Sequence, residues 1–288
     1  MANSQQAVLV TGAAGGIGSA VVRALSERGH RVFAGVRRDA GELARLPGVE
    51  VVRLDVTDPD SVAAAARTIG QALDGGGLRA VVNNAGLIVQ GPLELIPPDQ
   101  LRHQFEVNTL GPTRVTQEFL PLLRDGAGRV VNVSAPTARV PIPLMAPIAA
   151  SKAALASLSE CQRMELAAWS IPVVLVEPGA TETAIFDKAA TRSADTLAGA
   201  DPAKLALYAD HLAAFDAALA RQKNGPVAPV ARAIVSAVEA RRPRRRYVAG
   251  SGSRMLATLS HLPTGLRERL IAGAFGMNGI RPAVTATR

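Results

Sequence analysis

Short apolar runs alternate along this chain with longer stretches in which apolar residues recur every three to four positions. The runs at residues 7–10, 31–36, 49–54, 79–83, 129–134, 172–176 and 246–249 are rich in β-branched residues and too short for helices. Such continuous runs read as strands buried on both faces. Residues 17–28, 59–73, 98–124, 149–169 and 229–241 carry helical periodicity. Asp58 followed by Pro59 marks a capped helix start. Gly111-Pro112 predicts a kink within 98–124, because proline removes an internal donor. Residues 181–226 show weak, alanine-rich helical periodicity and no strand, and 253–275 reads as a helix broken at Pro263. Alternation of strand and helix predicts an α/β fold with a mainly parallel, seven-stranded sheet. No repeat or long linker divides the 288 residues, so residues 1–288 are expected to form one domain, with 250–288 as a C-terminal extension.

The first strand runs into Thr11-Gly12-Ala13-Ala14-Gly15-Gly16-Ile17-Gly18 and then into the first helix. Strand, glycine turn and helix in that order cradle a pyrophosphate. The turn's N–H groups and the open helix N-terminus face the anion, and glycines permit close approach. A doubly wound Rossmann-type domain follows, with Gly12, Ala14, Gly15 and Ile17 against the phosphates. The strand at 31–36 ends in Arg37-Arg38, with no acid before Asp39. An acid there would take a ribose hydroxyl, whereas arginine suits a 2′-phosphate. NADP(H) is therefore expected rather than NAD(H). The alternative is that Arg37 and Arg38 are only exposed loop residues.

Further signatures follow in order: Asn83-Asn84-Ala85-Gly86 after the fourth run, Ala150-Ser151-Lys152 in a long helix, and Glu177-Pro178-Gly179 after the sixth. Over about residues 7–275 the chain resembles the short-chain dehydrogenase/reductase family, and its C-terminal third resembles the hydroxysteroid and retinol dehydrogenase branch. The resemblance implies that Asp55 and Val56 contact adenine and that Asn84, Ala85 and Gly86 lie along the adenine-side ribose. Lys152 would contact the nicotinamide ribose, and Pro178, Gly179, Thr181 and Thr183 the carboxamide. Simple capping by Asp55 and a purely structural part for Asn84-Ala85-Gly86 stay open. The resemblance also makes 181–226 a lid over a hydrophobic substrate and implies a homodimer or homotetramer paired through residues 98–124 and 149–169.

Relatives reduce carbonyls with a tyrosine as proton donor, a lysine four residues later, a serine thirteen residues before the tyrosine, and an asparagine holding a relay water. Lys152 and Asn108 match the lysine and the asparagine. The tyrosine position holds Ile148 and the serine position Ala135. A positioned general acid is worth about 10²–10⁴-fold, and neither hydrocarbon side chain supplies one. Ser134 is adjacent, but strand alternation turns it to the opposite face. Thr137, on the next turn, is close enough to swing in. Three readings follow. The first is an NADP(H)-dependent oxidoreductase acting on a conjugated or imine-like small molecule, such as a natural-product intermediate. Its proton would come from solvent, from the Asn108–Lys152 side, or from Tyr208 or His211 of the lid. The second is a non-redox cyclase or isomerase using NADP as the floor of its pocket, and the third is a catalytically dead binding module.

Charge and composition narrow these classes. The net charge of +8 is overwhelmingly arginine, densest at residues 241–246. That run lacks the interleaved aromatics of single-strand binders and reads as a solvated turn, so no nucleic-acid partner is expected. No apolar stretch approaches the roughly 18 residues of a membrane span, and residues 1–6 lack a signal-peptide pattern, so a cytoplasmic protein is expected. No metal site is expected. The single Cys161 cannot form an internal disulfide and reads as a small buried hydrophobe.

Overall fold

The computed structural model describes residues 6–281. Residues 1–5, where the reading of the N-terminus falls, and 282–288 of the extension lie outside it. Strands β1 (Ala7–Thr11), β2 (Arg31–Val36), β3 (Val49–Arg53), β4 (Leu78–Asn83), β5 (Val130–Val133), β6 (Val173–Pro178) and β7 (Arg246–Ala249) form one sheet in the order β3-β2-β1-β4-β5-β6-β7. Every ladder between them is parallel. Strand order reverses between β1 and β4, which opens a crevice at their carboxyl ends.

The helices are α1 (Gly16–Glu27), α2 (Pro59–Leu73), α3 (Pro98–Phe105), α4 (Gly111–Asp125), α5 (Ala146–Glu165) and α6 (Ile185–Ala198). They continue with α7 (Pro202–Leu207), α8 (Ala209–Arg221), α9 (Ala228–Glu239), α10 (Ser253–Leu259) and α11 (Thr264–Ala274). Alternate residues of each strand feed two cores, as the pleat requires. Val8 and Val10 face α1 and α9, where Val22, Leu25, Ile234 and Val238 are fully buried. Leu9 turns the other way, toward Val62 and Ile69 of α2 and Val115 and Phe119 of α4. The Asp58 carboxylate caps α2 by accepting from the Asp60 N–H at 3.0 Å.

Three expectations are refined by the structure. The disturbance expected at Gly111-Pro112 takes a specific form. The disturbance lies just upstream, in a π-helical turn at Glu106–Leu110 closed by the Gly111 N–H on the Glu106 carbonyl. The backbone stays helical through Leu110 and Gly111, and the Pro112 ring meets the turn four residues back, at Asn108, inside the π-helical turn. The long helix starts at Ala146 rather than 149, with Pro147 in its first turn, and its end, Leu166–Trp169, is 3₁₀. Cys161 is exposed: it lies two residues, about 200° of helix rotation, beyond the fully buried Ser159.

Residues 181–226 carry α6, α7 and α8, and the break at Pro263 separates α10 from α11. No helix is long and apolar enough to cross a membrane, and no group of three or more His, Cys, Asp or Glu among the described residues is placed to hold a metal.

Candidate active site

The crevice is built first from backbone. Gly12 takes φ +62, and a Cβ there would stand 2.8 Å from the Ala85 Cα, so only glycine fits the turn. Thr11 Oγ1 accepts from the Asn84 and Ala85 N–H groups, each at 3.1 Å. Asn84 Nδ2 returns two bonds, to the carbonyls of Thr11 at 3.0 Å and Gly12 at 3.1 Å. Asn84 is thus a strut that sets the glycine turn against the end of β4. Gly15 begins α1 without any side-chain cap, which leaves the first N–H groups of the helix open to an anion. Ala14 and Gly15 are exposed at this turn, and Ile17 is partly buried against the core beneath it.

Thr183, just ahead of α6, stands against Gly16 at the crevice. A Cβ on Gly16 would stand 2.5 Å from Thr183 Cγ2, while Thr183 Oγ1 is buried with no hydrogen-bond partner among the described residues. A glycine cradle with an orphaned hydroxyl at its rim fits a dinucleotide. Behind Thr183, the Gly179 N–H donates to the Ala249 carbonyl at 2.7 Å, and the buried Thr181 bridges to Gly225. Pro178 ends β6, directly after Glu177.

Arg37 and Arg38 follow β2 and are exposed. Burial acts to raise the Asp55 pKa, but bonds from the Thr57 N–H (2.9 Å) and Oγ1 (2.7 Å), with the Arg37 charge, hold it below the usual carboxylate value. Asp55 thus stabilises a local turn. The Val56 carbonyl accepts from Arg114 Nη1 at 2.6 Å.

On the β5 side, Lys152 points from α5 under the crevice. It is 6 % exposed, and its Nζ donates to the Val133 carbonyl at 2.7 Å. A Cβ on Gly86 would lie 3.7 Å from that Nζ and 3.4 Å from Asn108 Oδ1, so Gly86, Lys152 and Asn108 converge. Desolvation lowers the Lys152 pKa to about 8. Asn108 sits in the π turn, fully buried, and grips Leu87 with both amide atoms: Oδ1 accepts from its N–H at 3.0 Å and Nδ2 donates to its carbonyl at 2.9 Å.

One residue missed from the sequence completes that grip. Gln104, one turn before Asn108 and also fully buried, donates to the Leu87 carbonyl at 2.8 Å and accepts from the Val89 N–H at 2.7 Å. Two amides at i and i+4 on a helix face with buried neighbours are the available signal. Glu177, read from the sequence only as part of the Glu177-Pro178-Gly179 signature, has a second unforeseen role. Fully buried at the end of an otherwise apolar strand, it accepts from Arg139 Nη2 at 2.5 Å and from Arg246 Nη1. Arg246 also reaches Glu160 at 3.1 Å. One member of the 241–246 run is therefore an internal anchor, while Arg241, Arg242, Arg244 and Arg245 are exposed.

Ile148 lies one turn before Lys152 and is buried in an apolar cluster with Ile88, Met145, Ala189 of α6 and Phe215 of α8. Ala135 follows β5 in extended conformation. Ser134 turns away from the crevice, its Oγ donating to the Lys152 carbonyl at 3.4 Å. Tyr208, between α7 and α8, instead donates to Glu94 Oε2 at 3.0 Å, and that bond raises its pKa. His211 packs its ring against Tyr208, with centroids 5.6 Å apart.

Comparison with known proteins agrees with this geometry. The family profile of short chain dehydrogenases matches residues 6–194. Estradiol 17-beta-dehydrogenase 2 of Mus musculus is 34% identical, over 94% of this chain and 75% of its own. NADPH-dependent 3-dehydrocapnine reductase of Ornithobacterium rhinotracheale is 32% identical, over 88% of this chain and 91% of its own. A short chain dehydrogenase from Burkholderia cenocepacia, solved in complex with NADP, superposes with a TM-score of 0.71 at 30% identity, covering 92% of this chain and 97% of that one.

Proposed function

Because the chain belongs to the short-chain dehydrogenase family, we propose that it is an NADP(H)-dependent oxidoreductase for hydrophobic, electron-poor small molecules that need little help from a protein proton donor. The observation that carries this is the pairing of a dinucleotide cradle with Ile148, rather than a hydroxyl, one turn from Lys152. Gly12, Ala14, Gly15 and Ile17 would hold the pyrophosphate, Arg37 and Arg38 the 2′-phosphate, and Asp55, Val56, Asn84, Ala85 and Gly86 the adenosine side. Lys152 would bind the nicotinamide ribose, and Pro178, Gly179, Thr181 and Thr183 the carboxamide. Bound there, the cofactor supplies the hydride.

The chain's own residues then shape the reaction. Ile148, Met145 and Phe215 exclude water and favour an apolar, conjugated substrate. Asn108 braces the Leu87 backbone rather than offering a free amide. Lys152 Nζ, held near pKa 8, is the buried proton reservoir on this side, in exchange with solvent when the lid opens. Simple ketones, whose alkoxide must be protonated as it forms, should react poorly. Exposed Leu110, Leu158 and Met164, with Trp169 under Arg124, give the α4–α5 face the apolar character of a homodimer contact.

Steady NADPH consumption with quinones and activated enones, but not with saturated ketones, tests the proposal. No turnover across that panel with NADPH bound would defeat it. The closed apolar cluster around Ile148 also supports a non-redox cyclase or isomerase reading. Equal product formation with NADP⁺ and NADPH would select it.

A further inference from the structure

The hydroxyls at the head of β5 and on the facing turn of α5 are almost all committed. Ser134 Oγ donates to the Lys152 carbonyl, and Ser151 Oγ to the Ile148 carbonyl at 3.0 Å. Thr137 differs. It is 8 % exposed, its Oγ1 is buried, and that oxygen has no hydrogen-bond partner among the described residues. Buried polar atoms are nearly always paired, and a catalytic role is one established reason for an exception.

Its position is fixed rather than loose. Thr137 is the middle residue of the 3₁₀ turn Pro136–Ala138, which follows directly from Ala135 and packs against both α5 and α10. The Ala138 N–H donates to the Ala135 carbonyl, and the N–H groups of Arg139 and Val140 both donate to Pro136, each at 3.1 Å. Arg139 then ties the turn to the buried Glu177 and to Ser260 Oγ at 3.4 Å. The donor is held by a rigid turn at the carboxyl end of the sheet, where open α/β sheets bind their ligands.

We propose that Thr137 is the substrate-orienting hydroxyl of this site, donating through Oγ1 to the substrate's carbonyl oxygen in place of the side chain absent at Ala135. This rests on the oxidoreductase reading and sharpens it. A hydroxyl donor matches an oxygen that gains negative charge on reduction and has nothing to offer an iminium. The substrate class is therefore a quinone or enone, and bond formation moves no proton to or from Thr137.

The test compares 9,10-phenanthrenequinone with its hydrocarbon, phenanthrene, by calorimetric titration of the NADP⁺-loaded wild type, Thr137→Val and Thr137→Ser. NADPH binding and circular dichroism check that each variant is folded. Wild type should prefer the quinone, Thr137→Val should lose about tenfold in quinone affinity with phenanthrene unchanged, and Thr137→Ser should restore it. Equal weakening of both probes, no weakening, failure of serine to rescue, or no quinone preference in the wild type would overturn the assignment. Hydroxyl-dependent quinone binding without NADPH consumption would leave Thr137 in place and remove the redox reading instead.

Discussion

Lys152 Nζ donates to the Val133 carbonyl at 2.7 Å, and one turn away on the same buried face stands Ile148. The ammonium has a backbone carbonyl as its hydrogen-bond partner among the described residues. Its burial explains both its lowered pKa and the pH behaviour expected of the fold.

The Lys152 pKa falls from 10.5 to about 8 on folding, so the folded state resists the charged form. Below pH 8 both states carry the proton and the penalty is fully present, of order 3 kcal/mol. Between about pH 8 and 10.5 the unfolded chain binds more protons, so stability rises with pH. Urea unfolding of wild type and Lys152→Met should show a difference that shifts in favour of the wild type across that window. A pH-independent difference would mean that the ammonium is not desolvated.

Arg37 and Arg38 should set the cofactor preference. Replacing both with alanine should raise the NADPH dissociation constant about 10–100-fold, the equivalent of one or two charge-assisted bonds, and leave NADH binding nearly unchanged. Fluorescence titration with each cofactor reads this directly. Equal losses for both would reduce the pair to exposed loop residues.

The double substitution Ala135→Ser and Ile148→Tyr should create measurable ketone reduction, smaller than the 10²–10⁴-fold a well-placed acid gives. The larger ring must displace Met145, Ala189 or Phe215 from the cluster around Ile148, so the melting temperature should fall as well. No gain with an aliphatic ketone would show that Lys152 and the crevice are not in register for that chemistry.

Glu177→Gln leaves Arg139 and Arg246 facing a neutral amide at the base of the Pro178–Thr183 segment. Breaking a buried ion pair on one side costs about 3–5 kcal/mol, somewhat less here because both arginines keep partial solvent access. Chemical unfolding should show the loss, and quinone turnover should drop with it as the turn bearing Thr137 loosens. An unchanged midpoint would contradict the anchoring role.

The central strands were legible because they are nearly pure hydrocarbon, with Val8, Leu9 and Val10 alternating between the two cores, whereas the edge strands β3 and β7 carry Glu50, Arg53 and Arg246 and are only partly buried. The glycine turn was legible because Gly12 meets Ala85 so closely that no side chain fits. The π turn at 106–110 was not, since helical periodicity runs unbroken across it and Pro112 marked the disturbance several residues late. Cys161 misled because a small neutral residue fits either face of a helix. Gln104 and the anchoring role of Glu177 were overlooked in apolar surroundings, although burial made both residues the clamps that shape the site. The lid's sequence indicated helices but not that Ala189 and Phe215 close over Ile148.

The decisive measurement is the rate of NADPH oxidation by the purified protein with 9,10-phenanthrenequinone against cyclohexanone, at saturating cofactor confirmed by fluorescence. The expected result is steady turnover of the quinone and a ketone rate at least a hundredfold lower. Ketone turnover equal to that of the quinone, or a protein that binds no NADPH, would contradict the view that this site favours electron-poor acceptors over simple ketones.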